Sequence, residues 1–395
     1  MIGAQVAICL VLMIAGSLLI RGSIHAVEMD TGYDGKHVIN VEIDFPEGAK
    51  YNKARQLALL RQIRARVEGL PGVASVTVGR PPDGGGVRVA AIWLNGDKPL
   101  SGSPQQIAFY TYVLPSYFET LGIPLLAGRG FQAQSGVPEP SVILSESQAA
   151  QLWPGQNPIG RALALDTANQ FHTRSEMLPD KVTYQVVGVV RDSRGVQLDS
   201  SDNAQIYLQL PADRIDEHPM LVRTQSDPTA LMGVLGAEIS SVDPNLVAYT
   251  STLDALLREA GPFVVSRSAA AFASIVGGFG LLLASMGIYG TVNYMVVLRT
   301  REVGIRMALG ASRGSVLRLI LQQSTRPVVA GLGVGLVLAV GVSRLLHTLL
   351  YGLGAVDVVS FASVSILFLA IALLAAYVPS RGATRVDPVI ALRYE

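Results

Sequence analysis

The chain of 395 residues has little charge and almost no cysteine. Charged residues make up 15% of it, and the net charge is +1, so no global basic field favours nucleic acid as a partner. Cys9 is the only cysteine, which excludes a disulfide framework and a thiolate metal site. Half of the residues are hydrophobic. This composition is typical of a membrane protein rather than of a soluble domain.

Catalytic motifs are absent as well. The sequence contains no GxxxxGK phosphate loop, no HExxH and no paired Cys/His spacing. Asp192, Asp199 and Asp202 could together hold a cation, but a loop of solvated acids explains them equally well. We therefore predict no catalytic, cofactor-binding or metal-binding residue in this chain. A membrane-anchored enzyme would need a catalytic constellation between Gly22 and Pro262 that the sequence does not show.

Four apolar segments are long enough, or nearly so, to span a bilayer, which takes about 20 residues. They cover residues 1–20, 268–298, 327–343 and 358–378. None contains an acidic residue, which argues against a solute pathway through the helices. Small residues recur at four-residue spacing, a pattern of close helix packing. The residues that we predict to serve this packing are Gly331, Gly335, Ala339 and Gly277. Packing within one chain and packing between two copies explain the pattern equally well.

The distribution of arginine predicts the orientation of the spans. Residues 299–326 hold six arginines and one acid, so the positive-inside rule places this loop in the cytoplasm. The tail 379–395 agrees. Both termini are then cytoplasmic, and the long stretch between the first two spans lies outside. Arg21, just after the first span, would alone prefer the opposite orientation; we interpret this as a missing N-terminal flank or a truncated start. A cleaved signal peptide ending near Ala26 is the rival interpretation.

The long stretch after the first span has the pattern of a mixed α/β domain. Alternation in VINVEID predicts a strand, and helical spacing and a second strand follow it. The same order recurs later, so that residues 38–78 and 220–249 form two strand-helix-strand units, which we expect side by side in one sheet. The residues between them predict a second, more β-rich lobe. The predicted fold class is a multi-pass α-helical membrane protein with four spans and a large α/β extracytoplasmic domain inserted between spans 1 and 2.

The segment REVGIRMALGASR, residues 301–313, lies between two spans and is predicted to be a short basic helix facing the cytoplasm. Glu302 and Arg306 form an i,i+4 pair in the favourable order. Val303, Met307 and Leu309 are apolar and could enter a groove on a soluble partner. The alternative is that the arginines only fix the topology.

Several motifs resemble one family. REVGIRMALGASRGSVLRLIL and the tail ATRVDPVIALRYE resemble the FtsX-type permease domain of the MacB family of ABC transporters. PSYFETLGIPLLAGRGF, ILSESQAAQLWPGQNPIG and VVGVVRDSR resemble the periplasmic core domain of that family. The opening AQVAICLVLMIAGSLLIRG, running into MDTGYDG, is most similar to the second half of duplicated orphan permeases, which leaves open that the sequence is one permease half.

The resemblance implies a division of labour. In this family the permease contains no ATPase; a separate domain or subunit binds ATP and Mg²⁺, and its closure passes through a short cytoplasmic helix and the long second span to the periplasmic domain. The resemblance places that coupling helix at about 299–311. The implied coupling residues are Arg301, Glu302, Val303, Gly304, Arg306, Met307, Leu309 and Gly310.

The implied partners are an ABC ATPase subunit, a second permease half or a second copy of the chain, a periplasmic adaptor or substrate protein, and membrane lipid. The implied location is the bacterial inner membrane, with the large domain in the periplasm. We predict a permease subunit that works by mechanotransmission in export or extraction. The alternatives are an FtsX-like regulator of a cell-wall hydrolase and an inactive permease half. The predicted spans are 1–21, 266–298, 327–349 and 358–378, of which the second is also the stalk helix. The periplasmic core domain is predicted at 22–265, the cytoplasmic coupling helix and loop at 299–326, and the cytoplasmic tail at 379–395.

Overall fold

The computed structural model describes residues 2–28, 30–46, 51–82, 89–94, 106–132, 139–167, 178, 182–193, 204–259, 261–298, 313–345 and 357–383. It divides into two compact units. One consists of Met1–Val27 and Phe263–Glu395, and the other is Glu28–Pro262. The first is helical, and the second is a mixed α/β domain.

The described helices are α1 (Ile2–Glu28), α2 (Lys53–Glu68), α3 (Tyr117–Leu121), α4 (Glu146–Leu152), α5 (Pro228–Val242), α6 (Leu253–Glu259), α7 (Gly261–Leu298), α8 (Arg313–Leu345) and α9 (Val358–Ala383). The described strands are β1 (Val38–Asp44), β2 (Val73–Val78), β3 (Val89–Leu94), β4 (Gln106–Val113), β5 (Leu125–Gly128), β6 (Ser141–Ser145), β7 (Ala162–Thr167), β8 (Thr183–Val190), β9 (Gln205–Gln209), β10 (Met220–Thr224) and β11 (Val247–Thr252).

The helical unit contains four helices that are long and apolar enough to cross a membrane, by length and composition. Their apolar segments are Gly3–Gly22, Arg267–Tyr294, Thr325–Leu345 and Val358–Pro379. The fold class predicted from the sequence, with its four spans, is confirmed. The helix bounds differ most at α8, which begins at Arg313 and continues through Pro327, where the predicted third span begins. A spanning helix tolerates such a proline when neighbouring groups satisfy the freed carbonyl.

The first lobe of the domain, here called the α/β lobe, is one four-stranded sheet in the order β11-β1-β10-β2 with antiparallel neighbours. Helices α2 and α5 cover one face, where Ile39 and Val41 pack with Ile63 and Leu235. The two strand-helix-strand units therefore interleave, since β10 separates β1 from β2, and β1 separates β10 from β11. This is the β-α-β-β-α-β arrangement. Its two halves come from opposite ends of the domain sequence.

The second lobe, here called the barrel lobe, is formed by the residues between these halves. Its seven strands run in the order β5-β8-β6-β9-β4-β3-β7, and β8 also pairs with β7, so the sheet closes on itself. Closure is achieved by β8: residues Thr183–Gln185 pair with β7 along one edge, and residues Gln185–Val190 pair with β6 along the opposite edge. Alternate residues such as Ile92, Val142, Leu163 and Ile206 fill the interior. This lobe is the more β-rich of the two.

Candidate functional site

The predicted coupling residues lie outside the described residues. They are Arg301, Glu302, Val303, Gly304, Arg306, Met307, Leu309 and Gly310. The segment that holds them joins α7, which ends at Leu298, to α8, which begins at Arg313. Their role stays a prediction.

The motif PSYFETLG forms a wedge between the two lobes of the domain. This inter-lobe wedge, residues 115–122, contains α3, whose residues Tyr117 and Phe118 are buried. They belong to one hydrophobic cluster that includes Leu221 of the α/β lobe and Tyr207 of the barrel lobe. The Phe118 ring meets the Tyr207 ring edge-on, with centroids 5.0 Å apart. Because one continuous core crosses the junction, separating the lobes would expose these aromatic side chains to water.

Hydrogen bonds fix the position of the wedge. The Tyr117 hydroxyl donates to the Arg80 carbonyl oxygen at 2.6 Å, and the Ser116 hydroxyl donates to the Val76 carbonyl oxygen at 3.1 Å. On the barrel side, the Tyr207 hydroxyl is hydrogen-bonded to Ser193 at 2.8 Å, and burial raises the pKa of Tyr207 to about 12. The phenol is therefore neutral at physiological pH and can donate a hydrogen bond to the Ser193 hydroxyl or accept one from it.

The segment that follows α1 in the chain is bound by both lobes. We call residues 30–37 the neck. The Asp30 carboxylate pairs with Arg191 at the end of β8 at 2.7 Å, and the Asp34 carboxylate pairs with Arg223 of β10 at 3.0 Å. The backbone N–H of Asp34 also donates to the Leu121 carbonyl oxygen at 2.8 Å. One ion pair thus ties the neck to the barrel lobe, and another ties it to the α/β lobe.

Arg223 connects the neck to the wedge. Its Nη1 donates to the carbonyl oxygens of Thr120, at 3.2 Å, and Glu119, at 3.4 Å, at the carboxyl end of α3. A cation is favoured there because the last carbonyls of a helix have no partner within it. Its Nη2 meets Asp34. One guanidinium therefore joins a strand, the wedge and the neck.

Asp34 is held in its charged form by its neighbours. Burial tends to raise the pKa of Asp34, but hydrogen bonds from the backbone and the ring of His37, together with the charges of His37 and Arg223, outweigh burial and lower the pKa below its ordinary value. The backbone N–H of His37 donates to Asp34 Oδ1 at 3.1 Å. The neck thus carries a carboxylate that folding stabilises.

A third motif meets the neck at Gly32. This glycine has φ +79, and a Cβ atom there would collide with the carbonyl oxygen of Asp192 in VVGVVRDSR. The Asp192 carboxylate accepts hydrogen bonds from the backbone N–H of Ser147, at 2.8 Å, and from the Ser147 hydroxyl. Asp192 therefore binds the first turn of α4, which contains Ser147. Asp199 and Asp202 lie outside the described residues, within which no group of three His, Cys, Asp or Glu side chains is suited to a metal ion.

The neck also contacts the segment through which the chain leaves the domain. The backbone N–H of Asp254, in the first turn of α6, donates to the Gly35 carbonyl oxygen at 3.0 Å. Leu253 beside it is fully buried in the cluster that contains the wedge. The entering and leaving segments of the domain are thus joined directly to each other.

Sequence reasoning missed Asp30, Asp34, Arg191 and Arg223 as a set. A signal existed, because Arg223 is the single charged residue in the buried strand MLVRT. A charge in such a strand needs a partner. What the sequence could not supply was the identity of that partner, since Asp34 lies far away in the chain.

The predicted packing residues of the helical unit all lie at close contacts or in the buried interior. A Cβ atom on Gly331 would be 2.5 Å from the Gly3 carbonyl oxygen, and one on Gly335 would be 3.0 Å from the Ala7 Cα. A Cβ atom on Gly277 would be 2.6 Å from the Met13 Cγ. Helices α7 and α8 therefore both approach α1 closely. Ala339, one turn after Gly335, is 2% exposed.

Two family models match the chain. Residues 5–240 match the MacB-like periplasmic core domain, and residues 274–388 match the FtsX-like permease C-terminal domain. The first match includes the neck, the wedge and the barrel lobe. The second includes the segment that carries the predicted coupling residues.

Curated relatives are similar over much of the chain. It is 24% identical over 370 residues to a probable syringafactin export ATP-binding/permease protein of Pseudomonas syringae pv. tomato, covering 89% of this chain and 50% of that protein. It is 25% identical over 304 residues to the macrolide export ATP-binding/permease protein MacB of Agrobacterium fabrum, covering 72% of this chain and 43% of that protein. The chain therefore spans about half the length of the curated relatives it matches.

Among solved structures, the periplasmic region of MacB from Actinobacillus actinomycetemcomitans is similar at 15% identity with a TM-score of 0.36. The similarity covers 57% of this chain and 92% of that structure.

Proposed function

The chain belongs to the family of ABC transporter permeases that combine a MacB-like periplasmic core domain with an FtsX-like permease domain, and on that premise we propose that it couples ATP hydrolysis by a separate subunit to motion of its periplasmic domain. The work would be done outside the membrane, in export or extraction of a substrate. The relatives described above are named for syringafactin and macrolide export. For this chain, the substrate class is part of the proposal only as a periplasmic or membrane-derived molecule.

One observation carries the proposal: the neck contacts both lobes and the leaving segment at once. Arg191 and Arg223 hold its two carboxylates, and the Gly35 carbonyl oxygen accepts from the backbone of Asp254. A displacement of the neck therefore reaches the barrel lobe, the α/β lobe and α6 together. The inter-lobe wedge supports the same conclusion, since a shared aromatic core favours movement of the two lobes as one body.

The input end of the mechanism is proposed to be the segment 299–311. Its arginines place it in the cytoplasm under the positive-inside rule, with both termini on the same side and the periplasmic domain on the other side of the bacterial inner membrane. The apolar Val303, Met307 and Leu309 would enter a groove on the ATPase, and Glu302 and Arg306 would support the helix. ATP and Mg²⁺ would be bound by that subunit.

Co-purification from native membranes tests the proposal. We expect an ATPase with a phosphate-binding loop to accompany the full chain, and we expect Met307→Arg and Glu302→Arg each to release it, because they place a cation in an apolar groove or remove an acid from the basic helix. The matched control is Glu139→Arg, which reverses the same charge on a residue of the periplasmic domain whose side chain is 52% exposed. Retention of the ATPase by both coupling variants would contradict the proposed contact.

A further inference from the structure

Arg21 lies at the end of the first span, whose apolar segment is Gly3–Gly22. In the orientation proposed above, this end faces the periplasm, opposite to the arginine-rich loop. By the positive-inside rule, Arg21 taken alone favours the opposite orientation. A cation kept in such a place calls for a local anion.

The helical unit provides that anion at the start of the fourth span. Arg21 Nε lies 3.3 Å from Asp357 Oδ2, and the two side chains are 38% and 13% exposed. One turn deeper along the same two helices, the Ser17 hydroxyl donates to the Ser360 hydroxyl at 3.1 Å. Ser360 is fully buried. The two contacts together join α1 to α9 at one end of the unit, which we call the outer edge.

The two members of the ion pair are not equally dependent on each other. Asp357 Oδ2 also accepts from the backbone N–H of Ser360 at 2.9 Å, as an N-terminal cap of α9. Within the described part of the chain, Arg21 has Asp357 as its one ionic partner. Loss of the arginine therefore leaves the aspartate with its cap, whereas loss of the aspartate leaves the arginine with only lipid phosphate and water. Acidic residues also contribute little to orientation.

We propose that Asp357 neutralises Arg21 at the outer edge and thereby holds the end of the first span against the fourth. This inference rests on the orientation given under the proposed function. In that orientation, the contact secures α1 at its outer end, from which the chain continues to the neck. The main role of Asp357 is then to neutralise a charge that the orientation disfavours, and the attraction between the two helices contributes little.

Cross-linking in native membranes tests the inference on the full chain. Cys9→Ser removes the only cysteine, and Ser17→Cys with Ser360→Cys places a thiol on each of the two helices where the hydroxyls now meet. Brief oxidation should form a disulfide between the two helices within most of the chains. We expect Asp357→Asn to reduce the cross-linked fraction to a minority, although asparagine still caps the helix, because Arg21 is left unneutralised.

The diagnostic comparison is a second change in that background. If Asp357→Asn acts by leaving Arg21 without its anion, Arg21→Gln alone should keep the cross-linked fraction close to that of the parent. Adding Arg21→Gln to Asp357→Asn should then restore most of the lost fraction. That recovery would also show that Asp357→Asn does not simply prevent folding. Equal losses in both single variants and in the double variant would reduce the pair to an ordinary attraction, and three unchanged fractions would overturn it altogether.

Orientation is read separately, so that the two proposals can fail independently. Lys36 in the neck is exposed, and Lys36→Cys in the Cys9→Ser background should react with a membrane-impermeant maleimide in intact spheroplasts. Labelling only after permeabilisation would reject the orientation in the proposed function. Labelling from outside without the cross-linking pattern above would reject the role of Asp357 alone.

Discussion

Glycine serves different purposes in the helical unit and in the periplasmic domain. In the helical unit, Gly331 and Gly277 stand in helices where the backbone or side chains of α1 approach too closely for a Cβ atom. In the domain, Gly32 and Gly128 have φ values of +79 and +76, which the backbone requires at tight turns. The difference follows from the solvent: lipid offers no hydrophobic drive between helices, so close contact must hold them, whereas water drives the domain to bury large side chains.

Aromatic residues show the same contrast. The domain encloses Tyr117 and Tyr207 completely. In the helical unit, Phe272 and Phe279 of α7 are 72% and 66% exposed on a helix that is apolar enough to span a membrane. We therefore expect the stability of the domain to fall most when a buried side chain is made smaller. We expect the stability of the helical unit to fall most when a glycine at a helix contact is replaced by a larger residue.

The largest expected effect concerns volume in the domain. Phe118→Ala should destabilise the barrel lobe by about 3–5 kcal/mol, because it empties the center of the cluster shared by both lobes. Trp93 and Trp153, the two tryptophans of the chain, both lie in the barrel lobe, so denaturation of the full chain in nanodiscs can be followed by their fluorescence. The control Leu126→Ala, at a side chain 49% exposed, should stay within about 0.5 kcal/mol. Equal effects of the two changes would contradict the role assigned to the wedge.

Gain of volume in the helical unit should rank next. Gly331→Leu forces a side chain against the backbone of Gly3, at a cost of about 1–3 kcal/mol. Gly333→Leu, on the same helix, meets open space and is the matched control. Thermal stability of the solubilised chain should fall for the first change and stay unchanged for the second. A loss shared by both variants would indicate a general intolerance of leucine in α8 rather than close packing on α1.

The smallest expected effect is electrostatic and sharpens the account of the neck. Since folding lowers the pKa of Asp34 below its ordinary value of 3.8, its contribution to stability is fully present above that value and is lost as the pH falls through the lower folded value. Asp34→Asn should therefore destabilise the chain at neutral pH by less than about 1 kcal/mol, since the pair is partly exposed. The deficit should vanish in strong acid. Denaturation midpoints across pH measure it, with Asp213→Asn, an exposed carboxylate, as the control.

Local patterns in the sequence predicted most of the α/β lobe. The spacing of Leu231, Leu235 and Ile239 corresponds to the buried face of α5. The alternation in VINVEID located β1 but predicted one buried face, whereas Val38–Val41 are buried on both, because Val38 packs in the cluster that contains the wedge. Closure of the barrel could not be predicted in this way. It depends on one edge of β8 pairing first with β7, through Thr183–Gln185, and then with β5, through Gly188–Val190, while β6 pairs with the other edge. Such register is set by residues distant in the chain.

The candidate site was predicted less completely than the fold. The spacing of Gly331 and Gly335 indicated close packing, yet spacing cannot say that the neighbouring helix is α1. The resemblance singled out PSYFETLG and VVGVVRDSR as motifs without saying that they meet around Asp34 and Arg191. Convergence of distant motifs is a property of the tertiary structure, and it becomes visible only once the lobes are placed.

The interleaved sheet of the α/β lobe has a consequence for the order of biosynthesis. Strands β1 and β2 do not pair with each other, and both require β10, which is made only after the whole barrel lobe. While the barrel closes, Ile39 and Val41 lack α5, which helps to cover them in the finished lobe. Long-range pairing of this kind is slow, and apolar strands left open during the delay are prone to aggregation. We therefore expect the newly exported domain to depend on chaperones until residue 252 has emerged.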